Sequence, residues 1–85
     1  MTYTVIIKPS AVKAGKKLPK EYRRKIFDAI NDLEKNPLPN GCKKVIGMVQ
    51  TYRIRVGKYC IIYKIEKGEL LILVIKIAHR SQAYR

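Results

Sequence analysis

The sequence predicts an α+β domain: an N-terminal strand, a helical hairpin, then an antiparallel sheet. Three observations carry this reading. Residues 52–65 alternate at period two about a Gly57-Lys58 pair, the pattern of a hairpin with one apolar face. Tyr22, Ile26, Ile30 and Leu33 recur at helical spacing, which draws an apolar stripe along one side of a helix. Residues 3–8 and 70–77 are rich in β-branched and apolar side chains and read as further strands. A chain of 85 residues makes a single domain over 1–85. Such a chain buries only about 60–65% of its unfolded surface, so its stability margin is thin.

After the first strand, Pro9 and Ser10 suit a hand-over to a helix, because proline fits a first turn and serine caps one. A helix is expected over 10–18. Gly15 weakens it by about 1 kcal/mol relative to alanine. Pro19 breaks it and opens a second helix. There Phe27 and Ala29 widen the apolar stripe, while Arg23, Arg24, Lys25, Asp28, Asn31 and Asp32 fill the outer face. Asn36-Pro37 ends it, since a residue before proline avoids helical backbone angles. Residues 37–41 are a loop by composition, and Lys43 and Lys44 follow it.

The central hairpin organises the rest. Gly57 can take the positive φ that a two-residue turn demands. That loop length pairs Val56 with Tyr59, Arg55 with Cys60, Ile54 with Ile61, Arg53 with Ile62 and Tyr52 with Tyr63. One face is then apolar or aromatic throughout, and the other carries Arg53 and Arg55. A core needs the first face; nothing in folding asks for the second, which makes it the candidate working surface. Residues 66–69 form a turn. Residues 70–77 are apolar on both faces apart from Lys76, which implies an interior strand covered on both sides. A two-residue Lys67-Gly68 loop places Lys76 on the apolar face, so the register there stays open. The chain closes on a polar, basic tail.

Nineteen Lys and Arg against six Asp and Glu give a net charge of +13. That imbalance favours a polyanion, either nucleic acid or an acidic protein. Cys42 and Cys60 lack Cys-x-x-Cys spacing and have one histidine, His79, to join them, so no zinc and no cofactor is expected. No secretory leader is apparent, and the apolar run at 70–75 is too short for a bilayer. Free thiols in a reducing cytoplasm are expected, with no membrane partner. Paired carboxylates, a serine-hydrolase set and a phosphate-binding glycine loop are all missing. A cluster of cations and tyrosines remains, and such a cluster suits RNA. Cleavage through the 2′-hydroxyl needs that hydroxyl deprotonated, the phosphorane's charge stabilised and the leaving oxygen protonated. Arginine suits the second task because its planar fork matches phosphate oxygens. Tyr59 and Tyr63 read as core residues, whereas Tyr84 sits in the polar tail.

At residues 33–37 (LEKNP), 43–47 (KKVIG), 52–59 (YRIRVGKY), 61–63 (IIY) and 79–85 (HRSQAYR), the chain resembles the RelE side of the RelE/ParE toxin superfamily, nearly end to end. The resemblance implies a RelE-like, microbial ribonuclease-type fold. It implies a toxin that binds the ribosome, cleaves mRNA in the A site without a metal, and is held inactive by an acidic RelB-like antitoxin in a hetero-oligomer. It places catalytic roles on Arg53, Arg55, Arg80 and Tyr84. Lys43, Lys44, Lys58, His79 and Arg85 complete the expected RNA- and ribosome-binding set, with His79 either an acid/base group or a ribosome contact. An arginine usual in the family after the hairpin's second tyrosine is replaced here by Cys60. Either Arg80, Lys58 or His79 compensates, or activity is weak. The same fold also supports a ParE-like gyrase inhibitor or a catalytically impaired binding module.

Overall fold

The computed structural model describes residues 2–81. Its elements run β1 (Thr4–Ile7), α1 (Pro9–Lys16), α2 (Lys20–Asp32), β2 (Lys43–Lys44), β3 (Thr51–Val56), β4 (Tyr59–Glu66) and β5 (Leu71–His79). The five strands form one sheet in the order β1-β5-β4-β3-β2. Strands β2 to β5 are antiparallel, as expected. β1 joins at the edge in parallel to β5, which makes the sheet mixed. Parallel neighbours need a long crossover, and the two helices with the hairpin supply it.

Both helices pack on one sheet face, α1 over β5 and α2 over β3. Pro9 opens α1, which the sequence placed one residue later. Ile26, Ile30 and Leu33 are fully buried against Ile54, Ile61, Tyr63, Ile65, Ile72, Val74 and Ile77. Burying each such side chain is worth about 1.5–3 kcal/mol, so this single layer is the main source of stability. Gly15 is buried where the helices meet. A Cβ there would stand 2.8 Å from the Phe27 ring tip and 3.3 Å from Ile77. The glycine that weakens α1 as a helix is what lets α1 sit down on the core.

The hairpin has the expected register at every position, from Val56 opposite Tyr59 to Tyr52 opposite Tyr63. Gly57 takes φ +60° at the turn. The β4–β5 connection differs from a two-residue turn. Glu66 pairs with Leu71, which leaves residues 67–70 as the loop. The register then slips once: Tyr63 faces Val74 but Ile62 faces Lys76, so Ile75 is an extra residue. A one-residue bulge reverses which face the following side chains occupy. Ile72, Val74 and Ile77 therefore all reach the helix-covered core, and Lys76 does not. The expectation of cover on both sides of β5 is corrected: Leu71, Leu73 and Ile75 are only half-buried, because no helix lies over that face.

Candidate functional site

The face turned away from the helices collects cations by pairing rather than by sequence proximity. Lys43 stands opposite Arg53, Arg53 opposite Ile62, and Ile62 opposite Lys76. Residues directly opposite in an antiparallel ladder share a face, so Lys43, Arg53 and Lys76 form one row across four strands. With strands about 4.8 Å apart, the Arg53 and Lys76 backbones are separated by roughly 10 Å. The next row holds Arg55, Cys60 and Ala78. Cys60 and Ile62 are 0% and 8% exposed and pack against Val45. Between the flanking cations, β4 therefore contributes a buried apolar strip, and this strip with its flanks forms the trough. Arginines stand on its β3 wall and a lysine on its β5 wall.

Two unit charges 10 Å apart in water repel by about 0.4 kcal/mol. This is small beside the burial energy of the core, so the fold tolerates the row. An anion in the trough turns those repulsions into attractions. Glu66, a carboxylate on this face, is held by Lys64 at 3.0 Å, at the strand end away from Arg55. Arg53 is half-buried and Arg55 exposed.

Arg80 follows directly after β5. Its backbone N–H donates to the Lys58 carbonyl at 2.8 Å, which fixes this exposed arginine beside the hairpin tip and the exposed Lys58. The trough rows, Lys58 and Arg80 are thus neighbours at one end of the sheet. Lys44 is not in the row; it faces Tyr52, on the helix side of the edge. His79 is also on the helix side. It faces Tyr59, and the two rings meet edge to face at 5.8 Å. Its Nδ1 lies 2.9 Å from the Ser81 hydroxyl and accepts the Ser81 N–H at 3.2 Å. Tyr84 and Arg85 lie outside the described residues.

The tyrosines of the hairpin belong to the core, as read. Tyr59 meets the Tyr22 ring edge to face at 5.2 Å. Tyr63 is fully buried and donates to the Pro37 carbonyl at 2.8 Å. Burial, with the Cys42 thiol and Tyr52 adding to it, pushes its phenol well above the usual tyrosine value. Tyr63 holds its proton and is no base. Among the described residues no three of His, Cys, Asp or Glu group to hold a metal, and no helix is long and apolar enough to cross a membrane.

Sequence reasoning missed Lys76. Its signal was there: one lysine in an otherwise apolar strand, with a register that placed it among core residues. Resolving that conflict requires a longer loop and a bulge, which hairpin counting alone does not supply.

Comparison with known proteins agrees with this architecture. The family described as "ParE toxin of type II toxin-antitoxin system, parDE" matches residues 5–84. The chain is 31% identical over 88 residues to the putative toxin RelE1 of Methanocaldococcus jannaschii, spanning 100% of this chain and 98% of that protein. It is 28% identical over 86 residues to toxin RelG of Mycobacterium tuberculosis, spanning 100% and 99%. The crystal structure of the archaeal RelE–RelB complex from Pyrococcus horikoshii OT3 superposes with a TM-score of 0.85 at 33% identity, over 98% of this chain and 100% of that one. Family match, relatives and fold converge: this chain belongs to the RelE/ParE superfamily as a RelE-type toxin of a type II toxin–antitoxin system.

Proposed function

We propose that the chain is a ribosome-dependent endoribonuclease that cuts mRNA in the A site, using the mRNA's own 2′-hydroxyl and no metal. The observation that carries this reading is the row Lys43, Arg53 and Lys76 with Arg55 beside it, above an uncharged floor. A phosphodiester laid along β4 has cations on both sides. As the phosphorane gains charge, donors fixed in place stabilise it more than they stabilise the ground state. In this reading Arg53 and Arg55 hold the non-bridging oxygens. Arg80, anchored at the hairpin tip, supports the departing 5′ oxygen, and Tyr84 activates the 2′-hydroxyl or stacks on a base. Lys43, Lys44, Lys58, His79 and Arg85 contact RNA or ribosome. Lys76 supplies charge on the wall next to Cys60, where the family resemblance implies an arginine.

The expected partner is an acidic RelB-like antitoxin, supported by the +13 charge and by relatives solved as RelE–RelB complexes. A disordered acidic segment folding across a basic face covers it and neutralises it together. The expected place of action is the cytoplasm, with the ribosome.

The test is a purified translation reaction on a defined mRNA, with primer extension mapping any cut. Codon-phased cuts that require ribosomes and vanish with Arg80→Ala are expected. A second reading has its own support, because the matching family is described as ParE toxins. Inhibition of gyrase supercoiling by the purified chain, with no ribosomal cut, would replace the nuclease by that reading.

A further inference from the structure

The described surface holds a second cationic site, on the other side of the sheet from the trough. β1 ends opposite Val74, so beyond that point β5 borders a groove instead of a strand. The chain crosses from Lys8 into α1 there. Two adjoining hollows of about 400 and 360 Å³ follow this line and share Ser10, Ala14 and Ile77. Lys8 lines the first, where the open edge of β5 at Ile75 and Lys76 bounds it; Lys13, Lys17, Tyr59 and His79 line the second. Among the described residues no Asp or Glu lines either hollow.

Lys13 and Lys17 are one turn apart at the end of α1, about 6 Å along its axis. That is close to the spacing of successive phosphates on a nucleic-acid strand. His79 adds a directed donor. Because its Nδ1 accepts the Ser81 N–H, the neutral ring carries its proton on Nε2. Protein partners anchor through apolar side chains in pockets. The exposed large apolar residues lie elsewhere, at Ile6, Leu38, Ile46, Met48 and Val49. The groove instead offers cations over a floor whose Ile77 is already 4% exposed, which suits a charged backbone and not a peptide.

We propose that this groove between α1 and the end of β5 binds backbone phosphates of a single RNA strand. The strand continues past His79, Arg80 and Lys58 into the trough on the opposite face. This rests on the nuclease reading and extends it, since the chain then grips RNA on both sides of the sheet end. The groove contributes affinity and the trough contributes chemistry.

The test is binding of a 2′-O-methyl RNA decamer, which cannot be cut through its own hydroxyl, across a range of salt. Lys13→Gln/Lys17→Gln is compared with Lys16→Gln/Lys20→Gln, which removes equal charge from exposed positions outside the groove. For single strands each phosphate contact contributes about 0.7 to the slope of log affinity against log salt. The groove pair is expected to lower the slope by roughly 1.4 and affinity near 0.1 M salt by roughly tenfold. The control pair is expected to do less than half of that. Equal behaviour of the two pairs, or a wild-type slope in the groove pair, overturns the proposal. So does loss of binding to an acidic peptide with RNA binding intact, which assigns the groove to a protein. The ribosomal cleavage assay on the unaltered chain is scored separately. A lowered slope with no cleavage keeps the groove and removes the nuclease; cleavage with an unchanged slope does the reverse.

Discussion

Lys76 stands across β4 from Arg53, with Ile62 between them on the same sheet face. The relationship exists because Ile75 is an extra residue in β5. Without that bulge, a lysine would alternate into the layer beneath the helices, where an unpaired charge costs several kcal/mol. With it, the same lysine becomes the wall of the trough opposite the arginines.

If Lys76 faces the reacting phosphate, Lys76→Ala slows single-turnover cleavage on programmed ribosomes by about tenfold to a hundredfold, and Lys76→Arg recovers most of the loss. Thermal unfolding of both variants stays within a few degrees of wild type, because a half-buried lysine contributes little to folding. Unchanged cleavage in Lys76→Ala would remove this residue from the site.

The two thiols are expected to differ in reactivity. Cys60 is 0% exposed in the floor of the trough, whereas Cys42 is half-buried near the loop before β2. Alkylation followed by mass spectrometry is expected to label Cys42 at least about tenfold faster, since Cys60 reacts only when the strand opens. Cys60→Ala is expected to cost about 1 kcal/mol of stability and to leave cleavage unchanged. A loss of cleavage with the fold intact would give the thiol a chemical role.

Much of this architecture was legible because it rests on local patterns. The Gly57 turn and the alternation from Tyr52 to Tyr63 carry their own register, and each observed pair follows from them. The helix stripe at Ile26, Ile30 and Leu33 is equally local. The candidate site was only half legible. Arg53 and Arg55 share a face by alternation within one strand. Lys43 and Lys76 join them only through cross-strand pairing, and the second of these pairings depends on a loop length and a bulge that no periodicity encodes. His79 and Arg80 are adjacent in sequence, yet His79 lies on the helix side while Arg80 is held beside the hairpin tip.

Gly15 marks another limit of local reasoning. By helix propensity alone, Gly15→Ala gains about 1 kcal/mol. The added methyl would come 2.8 Å from the Phe27 ring, closer than carbon atoms pack, and 3.3 Å from Ile77, a tight contact. The contact is expected to win, so Gly15→Ala loses about 1–2 kcal/mol, an overpacking cost. Gly15→Ala/Phe27→Leu is expected to recover part of this by moving the ring away. Chemical denaturation of the three proteins decides it, and a stabilised Gly15→Ala would show that the helices separate at little cost.

Tyr63 gives the fold a pH dependence of known sign. Burial raises its folded pKa above the ordinary tyrosine value of about 10. Above pH 10 the unfolded chain releases this proton and the native protein keeps it. The contribution is therefore complete below pH 10 and is lost as pH rises beyond it. The loss is up to about 1.4 kcal/mol per pH unit. At pH 7, Tyr63→Phe is expected to lower stability by about 1 kcal/mol, because the hydrogen bond to the Pro37 carbonyl goes. The variant also lacks the alkaline loss, so the two stability curves converge and cross near roughly pH 11. The two proteins differ only at residue 63, so the difference between the curves reports on Tyr63 and its surroundings. Parallel curves from pH 7 to 11.5 in urea denaturation would mean that this phenol opens to solvent before the chain unfolds, and that the contact between the loop at Pro37 and the core is not kept in alkaline solution.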